Sequence, residues 1–69
     1  MKKIIILAGH FLEFQHYARE NQTIYDKLVY VSGIQAMMGI QAEEVRIIGT
    51  FWERKDAGKL KRFADTRVY

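Results

Sequence analysis
From Lys3 to Ala8 the chain reads Lys-Ile-Ile-Ile-Leu-Ala, an aliphatic run that Gly9 stops. A β-branched segment this short, closed by glycine, suits a strand buried on both faces better than a helix. Two further segments end in a similar way. Lys27-Leu28-Val29-Tyr30-Val31 has strand propensity and stops at Ser32-Gly33, and Glu44-Val45-Arg46-Ile47-Ile48 stops at Gly49.

Between the runs the period changes. Phe11, Phe14, Tyr17 and Ala18 fall on one helical stripe within Phe11 to Asn21, with Asn21 as the stop. Ile34 to Gly39 holds one or two helical turns. Asp56 is placed to cap a last helix over Ala57 to Arg67, with Leu60, Phe63, Ala64 and Val68 turned inward. The order is β-α-β-α-β-α. It predicts a single α/β domain over residues 1–69, with a small three-stranded, mainly parallel sheet and flanking helices.

In 69 residues, 49% hydrophobic and 28% charged, the chain has the composition of a folded domain rather than a disordered one. A domain this small buries a modest share of its surface and usually needs a staple. The chain has no cysteine, which excludes disulfides, and its two histidines, His10 and His16, lack partners at metal-ligand spacing. Assembly into a homo-oligomer is the staple left, and neither metal nor cofactor is expected. The apolar start is too short for a secretory leader, and no stretch approaches a membrane span of about 20 residues. A cytoplasmic protein with no membrane partner is expected.

In a parallel sheet the three strand ends share one edge, outside which ligands of open α/β sheets bind. The residues there are Gly9, His10 and Phe11 after the first strand, Ser32 and Gly33 after the second, and Gly49 to Asp56 after the third. The last stretch holds the only tryptophan. Trp52 suits stacking on a base, Arg54 a forked hydrogen bond to an anion, and Thr50 a hydroxyl contact. The plainer alternatives are that Phe51 or Trp52 packs under the last helix or in a subunit contact, that Glu53 and Arg54 form a surface pair and that His10 merely starts a helix. Gly9, His10, Phe11, Ser32, Gly33, Thr50, Trp52 and Arg54 form the expected ligand site. No nucleophile–histidine–carboxylate set accompanies them, so no catalytic residue is assigned. The net charge of +3 gathers late: Arg54, Lys55, Lys59, Lys61, Arg62 and Arg67 face only Asp56 and Asp65. Such a stretch suits an anionic partner or simply a solvated helix face.

The segment Ser32 to Gly49 resembles the region before the acidic strand of P-loop ATPases such as phage terminases. Gly49 and Thr50 stand where that strand carries its metal-binding acidic pair, so the likeness implies no metal-assisted hydrolysis here. Over most of its length the chain also looks like small α/β proteins of unknown function from phage genomes. That likeness rests on Ile4 to Gly9, on Val29-Tyr30-Val31-Ser32, and above all on Gly49-Thr50-Phe51-Trp52-Glu53-Arg54-Lys55-Asp56-Ala57. Some small phage proteins sequester nucleotide signals made by host immune systems. The resemblance, not the composition, implies such a sponge, acting in the host cytoplasm.

The first expectation is therefore a non-catalytic binder of a nucleotide-like small molecule. The second is an adaptor or inhibitor that acts by protein contact through exposed aromatics and Met37-Met38. The third is nucleic-acid binding through the basic late stretch.

Overall fold
The computed structural model describes residues 2–68. Strand β1 (Lys2–Leu7) lies in the middle of the sheet, with β2 (Asp26–Tyr30) on one side and β3 (Glu44–Ile47) on the other. Both pairings are parallel: Ile4 stands beside Leu28 and Glu44, and Ile6 beside Tyr30 and Arg46. The three helices are α1 (Phe11–Asn21), the single turn α2 (Ile34–Met37) and α3 (Ala57–Asp65), and a 3-10 turn spans Phe51–Glu53. The α/β alternation expected from the hydrophobic runs is the architecture observed.

The aliphatic run takes the central place because only the central strand is covered on both faces and both sides. Ile4, Ile5, Ile6, Leu7 and Ala8 are all fully buried. Alternation sends Ile5 and Leu7 to one face, where they join Val31, Met37, Ala42, Phe51, Ala57, Leu60 and Ala64 in a single cluster. Ile4, Ile6 and Ala8 are as deeply buried but stand outside that cluster, on the face that α1 covers. There Phe14 meets Tyr30 at 5.3 Å between ring centres, and the Tyr17 hydroxyl accepts a 2.7 Å bond from Arg46.

Several boundaries differ from those the sequence predicts. The first two strands start and end one residue earlier, and the third ends at Ile47. Helix α3 stops at Asp65 rather than Arg67. Val68 does not turn into the core from a helix: it is partly exposed and forms a parallel bridge with Ala42, whose N–H donates to Arg67 O at 2.8 Å. Asp56 occupies the position before α3 but makes no capping bond, because both its carboxylate oxygens accept from Arg54. On the α1 stripe, Phe14, Tyr17 and Ala18 are half-buried, while Phe11 stays 48% exposed.

Candidate functional site at the carboxyl edge of the sheet
The strand order β2-β1-β3 fixes where a site can form. The chain leaves β1 for α1 on one face, then crosses β1 between β2 and β3 on its way to the other side. After β3 it enters the 3-10 turn and α3, which pack on the opposite face from α1. The exits from β1 and β3 thus diverge, and the gap between them is the switch point where such sheets receive ligands.

That gap is filled by the chain's own carboxylate. Glu13, in the first turn of α1, accepts from Gly9 N–H at 2.7 Å, from Thr50 N–H at 3.1 Å and from the Thr50 hydroxyl at 2.8 Å. His10 Nε2 lies 3.8 Å from the same group. These donors, the Thr50 hydroxyl foremost, hold the Glu13 carboxyl below its usual pKa range against the opposing cost of burial. The arrangement explains two glycines. A Cβ on Gly9 would lie 2.1 Å from Thr50 Oγ1. Gly49 has φ of +58°, and a Cβ there would lie 2.5 Å from Glu13 Cδ. These glycines admit Glu13 and Thr50 to the strand ends.

Arg54 anchors the other flank of β1. Its side chain is 18% exposed, and its guanidinium makes four bonds. Nε and Nη2 fork onto Asp56 at 2.9 and 3.0 Å, Nη2 also reaches Ser32 O at 2.7 Å, and Nη1 reaches Ala8 O at 3.3 Å. The fork expected for an external anion therefore ties the ends of β1 and β2 together.

The remaining predicted residues divide differently. Phe51 is wholly buried, whereas Trp52 is 60% exposed, with its ring edge-on to Phe51 at 5.2 Å. Of the two aromatics that could pack under the last helix, Phe51 is the one that does. Phe11 stacks on Phe14 at 5.9 Å and meets Tyr30 at 5.2 Å. Gly33 precedes α2 in extended backbone that any residue adopts, with open space around it. Gly9, His10 and Thr50 are gathered round Glu13; Ser32 is joined to Arg54 through its carbonyl; Phe11, Gly33 and Trp52 belong to neither group.

Glu13 was not among the expected site residues. Its signal was present: a glutamate at the third position of a helix is placed to reach back to the backbone before that helix. What the sequence does not carry is the approach of Thr50, 37 residues away. A second unforeseen group sits on the α1 face near the amino end of β3. Glu44 accepts from Arg46 and lies 2.7 Å from Lys2 Nζ. Arg46, foremost, and Lys2 lower the Glu44 carboxyl to about 2, and Glu44, followed by Tyr17, raises the Arg46 guanidinium.

The described residues enclose no pocket, bring no three His, Asp or Glu side chains together, and contain no helix long and apolar enough to cross a membrane. In the basic stretch, Lys61 pairs with Asp65 at 2.7 Å and Arg67 lies over the Phe63 ring at 4.7 Å, while Lys55, Lys59 and Arg62 are exposed. No protein-family model, curated protein or solved structure matches the chain.

Proposed function
We propose that the protein is a non-catalytic binding module that acts by protein contact, with Trp52 at the centre of a recognition surface on the carboxyl edge. The observation that carries this reading is a contrast at that edge. The polar groups of the expected site are largely engaged within the chain: Thr50 and Gly9 on Glu13, Arg54 on Asp56 and two carbonyls. The large apolar groups are covered only in part, since Phe11, Leu12, Ile34 and Trp52 all remain exposed. Trp52 rides on a turn closed by Glu53 N–H to Thr50 O at 2.9 Å and Arg54 N–H to Phe51 O at 3.0 Å. A tryptophan held in place before binding loses little freedom on docking, and tryptophans recur among the residues that dominate protein interfaces.

One observation favours a small anionic ligand as a second reading. The Glu13 carboxylate occupies the switch point, so the Gly9 and Thr50 N–H groups already bind one anion. A nucleotide-like ligand, such as the sponge reading implies, would have to take that place.

A Trp52→Ala variant tests the choice. Because the indole is mostly exposed, its loss should leave stability within about 0.5 kcal/mol of the parent. Protein captured from a host lysate should be lost with Trp52→Ala and retained with Lys59→Ala. Capture that is indifferent to Trp52 sinks the protein-contact reading. A thermal-shift panel of nucleotides decides the second: stabilisation that grows in Glu13→Gln supports it, and a flat panel for both proteins removes it.

A further inference from the structure
The carbonyl of Ala8 and the N–H of Gly9 belong to one peptide group, at the exit of the central strand. Side chains from elsewhere hold both of its polar atoms. Arg54 Nη1 donates to Ala8 O at 3.3 Å, and Glu13 Oε1 accepts from Gly9 N–H at 2.7 Å. The same two side chains hold the two ends of the turn that carries Trp52. Arg54 closes that turn, and Thr50, which opens it, gives its N–H and its hydroxyl to Glu13 at 3.1 and 2.8 Å. Residues 50–54 are thus strapped across one peptide group of β1, with Phe51 buried between the two ends. We propose that this strap orients Trp52 for the contact described above, Glu13 and Thr50 being its positioning residues; the purpose of the strap rests on that contact, its effect on the indole does not.

The two ends differ in what else secures them. At the far end the guanidinium also forks onto Asp56 and reaches Ser32 O. At the near end the strand ladder finishes with Ile48 N–H on Leu7 O at 2.9 Å, and the next backbone tie, Phe51 N–H to Ile48 O, is long at 3.4 Å. Between them Gly49 has φ of +58°, a conformation that glycine enters freely. Thr50 makes no side-chain cap to its own turn, because its hydroxyl is on Glu13. The carboxylate supplies what the backbone leaves out, and a charged acceptor makes the stronger bonds. It projects from the first turn of α1, a rigid element whose start favours negative charge.

Without the Glu13 bonds, Thr50 hangs from a glycine hinge, and Glu53 N–H loses a fixed acceptor in Thr50 O. Trp52 then keeps Phe51 as a pivot and loses its orientation. An indole ordered before docking spares the entropy of ordering it on contact.

Trp52 is the only tryptophan, so its fluorescence reports the strap with no partner present. Glu13→Ala should enlarge the fast component of its anisotropy decay and its quenching by acrylamide, with an unchanged circular dichroism spectrum. Thr50→Val, which keeps the N–H bond and loses the hydroxyl one, should enlarge both by less. Thr50→Ser restores the hydroxyl and should return the wild-type decay, as should Glu20→Gln at the exposed end of α1. A folded Glu13→Ala with the wild-type decay overturns the proposal, even if its melting temperature falls. If Glu13→Ala does not fold, a wild-type decay in Thr50→Val overturns it, as does a Thr50→Ser as loose as Thr50→Val. Failure of the contact reading is a separate result: lysate capture indifferent to Trp52→Ala, beside these changes in decay, removes the contact and leaves Glu13 and Thr50 as the residues that position the indole.

Discussion

Ile5 and Leu7 look onto a core of wholly buried groups drawn from two helices and the 3-10 turn, whereas Ile4 and Ile6 look onto one helix that has no buried residue of its own. The same strand supplies both sets. The difference lies in what each connection delivers. The β1-to-β2 link brings only α1, while the β2-to-β3 link and the chain after β3 bring α2, Phe51 and α3. On the thinner face, the outer strand β3 shows Glu44 and Arg46, and a charged network with Lys2 and Tyr17 stands where the other face has aliphatic contacts. One face therefore contributes mainly hydrophobic stability, and the other adds a contribution that answers to protons.

The sharpest way to break this contrast is a charge in the denser core. Ile5→Asp would bury an unpaired carboxylate at a fully buried position, costing more than the roughly 5 kcal/mol that holds a small domain together. Circular dichroism should show an unfolded chain, and a native-like spectrum and melt would discredit the placement of the core.

Truncations of equal size on the two faces give the next largest effect. Phe51→Ala should cost about 3–5 kcal/mol, the range for a buried phenylalanine. Phe14→Ala, at a half-buried site under α1, should cost about 1–2 kcal/mol. Urea midpoints measure both, and equal losses would erase the distinction between faces.

The smallest effect is the proton response. The Glu44 carboxyl is lowered from 4.5 to about 2, so its contribution is present above pH 4.5 and is lost as pH falls through about 2. Glu13, also lowered, contributes with the same sign. Melting temperature should fall on acidification across that window, and Glu44→Gln should reduce the drop. An identical acid profile in the variant would mean that the network contributes nothing.

Much of this architecture was legible because it rests on local pattern. An aliphatic run stopped by glycine marked β1, and the alternation of segments indicated a parallel sheet. The helix stripe placed Leu60 and Ala64 in the core, where both are buried. The site was legible only as an address. The residues after each strand do gather at one edge, but which polar groups remain free there depends on contacts across 22 to 46 residues, such as Arg54 to Ser32 and Ala8. Neighbours in sequence also divide between roles the sequence leaves open: Phe51 and Trp52 are both aromatic, and their places on the 3-10 turn put the first in the core and the second in solvent. Asp56 was read as a cap because its position invites one, yet a guanidinium two residues earlier binds it in two places.

The central position of β1 has a consequence for synthesis. Its first neighbour, β2, follows within 30 residues, but its second pairs at a separation of 40, Ile4 with Glu44. At the 5–20 residues per second of translation, β1 waits roughly 2–8 seconds for β3 to be made. For that interval the most aliphatic segment of the chain has one side and one face open. The Ala42–Val68 bridge comes later still. The nascent chain thus has a window in which a chaperone, or a neighbouring nascent copy on the same message, meets β1 before its own β3 does.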